Sequence, residues 1–288
     1  MASPTLSVLD KRFPFGLSWP LVDARLARST SALKELHSNL RRNGPLRCEW
    51  HELCKSVWAA LTPNEQAEVV EPAETDIASY LDKDLTVLVG PNSVAVAMKE
   101  AGGKANEIFI HQHLLQVLED AAMGTEGATS PEIAGFLLAG VLMTEWTLAM
   151  IRSLFPGKIA DGEVASLEIE ERVFGGVLVL QRKVEERHRL DTAEWLFEGG
   201  NGCIHAIPTQ ALEDWVISVH SAIREFRQIP RLDPSKFSLA SPQGPSGHPV
   251  QCTGISTACS PPSPAPYVDP RLEFVVDGHQ VRRYRGCA

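Results

Sequence analysis

Between Ile133 and Ile151 the chain runs nineteen residues with one formal charge, Glu145. Such a stretch leaves two structures open. It can span a membrane, for which about 20 apolar residues suffice, or form a helix packed on nearly every side inside a protein. Glu145 falls past the middle, where an acid in lipid is costly. No basic cluster flanks the stretch in the positive-inside manner. The reading adopted is a central buried helix, opened by Ser130-Pro131-Glu132 and ended by Pro156-Gly157. A membrane span over 133–151 is the alternative.

A helix buried all round needs neighbours, and the periodicity supplies them. Trp19–Arg42 places Val22, Leu26, Leu33, Leu36 and Leu40 on one helical face, and Asn43-Gly44-Pro45 stops it. Leu46–Leu61 carries Trp50, Leu53, Val57, Trp58 and Leu61 in a stripe, followed by the capping box Thr62-Pro63-Asn64-Glu65. Asn106–Met123 reads as a helix with Ile108, His111, Leu115, Leu118 and Ala122 inward, and Gln210–Gln228 as another with Leu212, Trp215, Val216, Val219, Ile223 and Phe226 inward. Leu85–Val89, closed by Gly90-Pro91, is the best strand of the body. Val164–Glu198 is ambiguous. Read as a helix, it runs through Gly175-Gly176 and buries Leu167, Val173 or Phe174, Val177, Leu178 and Val184; read as a hairpin, which is slightly preferred, Gly175-Gly176 is the turn and Glu168 stands opposite Lys183, with a helix over 184–197 afterwards.

Past Pro230 the composition changes. Ten of the twenty prolines lie between Pro230 and Pro270, among serines and glycines with few large apolar residues, so the segment cannot offset the entropy of ordering it. Leu272, Phe274 and Val276 then alternate, Asp277-Gly278 is a type I′ turn signal, and Val281 and Tyr284 follow. The expected fold is mainly α: a bundle-like multi-helix body with at most a few short strands, a Pro/Ser-rich linker and a C-terminal β-hairpin. The expected divisions are 1–230, optionally split near 124–130, then 231–270 and 271–288.

Charge follows the same division. The chain carries −9 in all, of which the last 58 residues hold +2 and the first 230 hold −11. So acidic a body is repelled by phosphate backbones, which argues against general nucleic-acid binding by it and leaves only a local contact through the basic tail. Six cysteines are too few for a disulfide framework in 288 residues. Together with the lack of a secretory pattern they indicate a reducing, intracellular compartment, cytoplasmic or organellar. The Ser- and Arg-rich first 43 residues leave a transit peptide as an option, opposed by Asp10, Asp23 and Glu35.

The chemistry-bearing residues each meet a plainer explanation. His111 and His113, two apart on a helix, would point about 200° from each other and could not share an ion. Gly199-Gly200-Asn201-Gly202-Cys203-Ile204-His205 offers a thiol beside an imidazole, yet reads first as a flexible connection between helices. Cys203, His205, His248, Cys252 and Cys259 lack zinc-site spacing, and His51-Glu52 is followed by Lys55 where a zincin has histidine. No metal or cofactor is expected.

The leading expectation is therefore a non-enzymatic subunit of a larger protein assembly, or a self-associating one. Its arm residues Leu272, Phe274, Val276, Val281, Arg282, Arg283, Tyr284 and Arg285 would dock on a neighbour, with folding back onto the chain's own acidic body as the rival. The competing expectations are a thiol enzyme centred on Cys203 and His205, and a membrane-inserted subunit through 133–151.

Overall fold

The computed structural model describes residues 5–10, 19–21, 23–90, 106–157, 162–182, 194–199, 204–238, 274–276 and 279–283. Within them the body is helical, with eight α-helices and two small sheets.

The first sheet forms around Leu6–Asp10 (β1). Trp19–Pro20 (β2) pairs antiparallel with its end, while Leu85–Gly90 (β3) and Glu107–His111 (β4) continue it in parallel, in the order β2-β1-β3-β4. The rows Val8–Val87–Ile108 and Asp10–Val89–Ile110 fix the register. Both faces of β3 are covered, with Val87 and Val89 at 0% exposure and Leu88 at 4%. This is why its sequence is a continuous apolar run and not an alternation. The starts of β1 and β3 are tied together. Thr5 donates both its backbone N–H (2.6 Å) and its hydroxyl (2.9 Å) to Asp84 Oδ1, which holds the exposed Asp84 carboxyl below its usual range.

Between β1 and β3 run four helices: Ala27–Arg42 (α1), Gly44–Ala60 (α2), Pro63–Glu68 (α3) and Glu74–Leu81 (α4). The capping box read at Thr62 and Glu65 is present at α3. Asn43 ends α1 as expected, its backbone N–H on Leu40 O at 3.2 Å, and does a second job as well. Its side chain accepts from Leu46 N–H at 2.9 Å and so caps α2, with Pro45 in the first turn.

Residues 107–111, expected within the start of a helix, form β4 instead. The helix Gln112–Met123 (α5) begins only after His111 and ends at the left-handed Gly124, φ 66°. The parallel pairing of Ile108 and Ile110 with β3 outweighs a 3.6-residue pattern that their spacing also fits. Glu119 of α5 is buried and accepts the backbone N–H (2.7 Å) and hydroxyl (2.9 Å) of Ser29, satisfying a free donor in the first turn of α1.

Pro131–Leu154 (α6), capped by Ser130, is the central helix. It is long and apolar enough to cross a membrane, and 94% of its most apolar window is buried inside the body. Its neighbours are α1, α5, β4, Gly162–Phe174 (α7) and Thr209–Arg224 (α8). Its two threonines are bonded from α2, from α7 and within the helix itself. The Trp50 indole N–H donates to Thr147 Oγ1 at 2.7 Å, Thr147 donates on to Met143 O at 2.8 Å, and Thr144 donates to Glu170 Oε1 at 2.9 Å.

The hairpin expected about Gly175-Gly176 is replaced by a helix-to-strand junction. α7 runs to Phe174, Gly175 (φ 86°) ends it in the left-handed region, and Gly176–Arg182 (β5) is a strand. Glu168 pairs with Arg172 four residues on, at 2.6 Å, not with a residue across a turn. Of the helix expected over 184–197, residues 184–193 lie outside the described residues and 194–197 are corrected to strand: Glu194–Gly199 (β6) lies antiparallel on β5, and Ile204–Ile207 (β7) on β6. Phe197 of β6, Phe174, Phe136 and Trp215 form an edge-to-face cluster with ring centroids 5.0–6.2 Å apart, joining this second sheet to α6, α7 and α8.

The body continues past residue 230. Leu232 is buried and donates its N–H to Phe174 O at 2.9 Å, and Ala206 N–H donates to Ser238 O at 3.0 Å. Two further extended segments, Phe274–Val276 (β8) and His279–Arg283 (β9), stand in the order β7-β6-β5-β9-β8. The linker and the Asp277-Gly278 turn lie outside the described residues.

Candidate functional site

An open groove of about 520 Å³ lies between α1, the start of α6 and α8. Gly135 lets α6 approach α8 here, since a Cβ at that position would stand 3.2 Å from the His220 ring. His220 Nε2 lies 3.0 Å from Glu132 O. A carbonyl only accepts, so Nε2 carries the ring proton. Leu36, Leu118 and Ile223 give the groove apolar surface, and Ile217 stands at its edge 52% exposed. Glu35, Asn39 and Arg224 supply its polar wall. At the end of α8, Ser221 donates to Glu225 Oε1 (2.7 Å) and Arg227 to Oε2 (2.8 Å). The Ser221 hydroxyl first, and then Arg227, hold the Glu225 carboxyl below its usual range.

A smaller hollow, about 260 Å³, opens beside the carboxyl end of β4 between Asp23, Arg25, Leu26, Gln112, His113 and Gln116. Open α/β sheets bind ligands at this end of their strands. Its charges are engaged with each other, Asp23 Oδ2 meeting Arg25 Nη2 at 2.9 Å.

The structure separates most of the sequence candidates. His111 sits buried at the end of β4, not on a helical stripe, and its Nδ1 accepts from His113 N–H at 3.1 Å, capping α5. His51 Nε2 lies 3.2 Å from Pro72 O, while Glu52 faces Lys55 at 3.5 Å. His205 is buried on β7 opposite Phe197, and its Nδ1 lies 3.3 Å from Phe237 O, so the proton sits on Nδ1. Its partner in the thiol reading, Cys203, lies outside the described residues, as do His248, Cys252 and Cys259. The loop holding Cys203 joins two strands, β6 and β7, not two helices. Among the described residues no three His, Cys, Asp or Glu side chains stand close enough to hold a metal ion.

Of the arm, Phe274, Val276, Val281, Arg282 and Arg283 fall in β8 and β9, while Leu272, Tyr284 and Arg285 lie outside the described residues. Sequence reasoning missed the groove, because Ile217, His220 and Arg224 sit on the side of α8 away from its apolar stripe. A large apolar residue on that side, Ile217, was the available signal.

No family matches the chain, and neither the curated proteins nor the solved structures give a significant match to it.

Proposed function

We propose that the protein is a non-enzymatic interaction subunit of a larger protein assembly, with its C-terminal arm acting as a strand donor. The observation that carries this reading is the second sheet. β5 is paired on one side by β6, and its other side is where residues 279–283, nearly a hundred positions later, are extended in antiparallel register. Strand addition of this kind draws affinity from main-chain hydrogen bonds and leaves side chains free to select the partner. The groove beside Ile217 adds a second open surface, whose apolar wall and sparse polar groups suit contact with protein more than bond-making chemistry.

The thiol-enzyme reading draws less support, because the His205 ring is buried on β7. The membrane reading draws less, because the surface that lipid would need on α6 is covered by α1, α5, α7 and α8.

The test compares the native mass of the full chain with that of a chain ending at Ser238, the last residue of the body seen to pack on β7. The proposal expects association of the full chain, with itself or a co-purifying protein, that the shortened chain loses while keeping its helical circular dichroism. Two monomers at every concentration and no co-purifying protein would remove it.

A further inference from the structure

We infer that Asn43-Gly44 is a folding-gated deamidation site, where a chain left unfolded is converted irreversibly and a folded one is protected.

The pair carries its own reaction. The backbone nitrogen of Gly44, having given its proton to base, attacks Asn43 Cγ. The Cγ–Nδ2 bond breaks, ammonia leaves, and a succinimide ring remains. Water then opens one or the other ring carbonyl, leaving at position 43 either aspartate or isoaspartate, whose main chain runs on through Cβ and Cγ. No electrons are transferred, and water is the sole co-reactant. Glycine favours the closure because no Cβ crowds the attacking nitrogen.

The fold withholds each requirement of that reaction. Closure needs Asn43 Cβ and the Gly44 nitrogen eclipsed about the Cα–C bond, whereas ψ of 104° sets them on opposite sides of it. The side-chain amide is held at both ends. Oδ1 accepts from Leu46 N–H at 2.9 Å, and Nδ2 donates to Arg227 O at 3.0 Å and to Ala222 O at 3.4 Å. Asn43 is also at 0% exposure, which keeps base and water away. Freeing it requires α1, α2 and the end of α8 to part, a far costlier opening than the fraying of a terminus.

The products do not fit the place they leave. The junction of α1 and α2 rests on Asn43 N–H donating to Leu40 O and Asn43 O accepting from Arg47 N–H at 3.1 Å. Isoaspartate puts an extra methylene into the main chain between those two bonds, so both cannot form as before. Aspartate keeps the acceptor for Leu46 N–H and has no donor for Arg227 O. Glycine itself is not demanded by the backbone here. Gly44 lacks a positive φ, and a Cβ added to it would meet nothing within 4 Å.

The full chain is held at mildly alkaline pH in guanidinium and in native buffer, sampled over days, and peptide-mapped by mass spectrometry that separates aspartate from isoaspartate. The second Asn-Gly pair, Asn201-Gly202, lies outside the described residues and is scored separately in the same map. Conversion at position 43 should run at least about a hundredfold slower in the native sample, because only the small open fraction reacts. A smaller ratio would overturn the gating. On dilution from guanidinium, isoaspartate at position 43 should be depleted from the refolded fraction; equal proportions in refolded and unrefolded material would overturn the misfit of the product. Gly44→Ala should keep the native circular dichroism and lose most of the conversion in guanidinium. Conversion of that variant at the wild-type rate would remove glycine from the account, and the rate comparison on the wild-type chain stands whether or not the variant folds.

Discussion

Asn43 Nδ2 donates to Arg227 O at 3.0 Å across 184 residues of sequence. The same amide donates to Ala222 O at 3.4 Å, while Asn43 Oδ1 accepts from Leu46 N–H. One fully buried side chain therefore caps the start of α2 and satisfies carbonyls at the end of α8. Replacing Asn43 with Ala removes the cap and the side-chain donor to Arg227 O, while Ala222 O still accepts from Arg227 N–H at 2.8 Å, for an expected loss of about 2 kcal/mol. Asn43→Asp keeps the cap acceptor but no donor, and should fall between wild type and Ala. Urea unfolding of the three proteins checks the order.

His37 gives the body a pH dependence. Its ring is 3% exposed and lies against Trp146 with centroids 4.7 Å apart. Burial first, and then Arg41, hold its pKa down to about 4 from an ordinary 6.5. As pH falls through 6.5 the unfolded ring takes a proton that the folded ring refuses, so stability drops until the folded ring also protonates near 4. The full loss is about 3 kcal/mol. Unfolding midpoints from pH 7 to pH 4 should show this slope in wild type and a shallower one in His37→Leu.

The two cysteines of α2 should differ in reactivity. Cys54 is fully buried, which pushes its thiol up to about 12, whereas Cys48 is exposed. Only thiolate reacts with iodoacetamide. At pH 8 the native protein is expected to be alkylated at Cys48 and spared at Cys54, with both modified in guanidinium. Peptide mapping by mass spectrometry reads the outcome, and rapid native labelling of Cys54 would refute the packing of α2 given above.

Two backbone positions should respond in opposite senses. Phe226 follows α8 at φ 56°, a left-handed conformation costly to a residue with a side chain. Phe226→Gly should stabilise by roughly 0.5–1 kcal/mol. Gly176 begins β5 where a Cβ would run into Glu198 O and the Phe197 ring. Gly176→Ala should cost about 3 kcal/mol, near the upper end for overpacking. Thermal melts suffice for both.

The sequence carried the helices whose apolar stripe faces one core: α2, α6 and α8 appear within a few residues of where periodicity puts them. It also carried β3, whose β-branched run ends at glycine. It misassigned Ile108, Ile110 and residues 194–199, for one reason. Short apolar segments satisfy helical and strand spacing together, and the decision came from partners far away, β3 for β4 and β5 for β6. Gly175-Gly176 carried a true turn signal read for the wrong turn, because a glycine that ends a helix and a glycine pair in a hairpin look alike along the chain. The groove was illegible for a different cause. Glu35, Gly135 and His220 become neighbours only when three helices pack, and no spacing in the sequence brings them together.

The covered central helix has a consequence during synthesis. α6 is hidden partly by α8, which leaves the ribosome about 70 residues later. At roughly 5–20 residues per second this interval lasts about 4–14 s. Throughout it, a helix apolar enough for a bilayer stands with one flank bare. The nascent chain is then a ready client for chaperones that hold apolar segments, and translation speed between Leu154 and Arg224 sets how long it must be held.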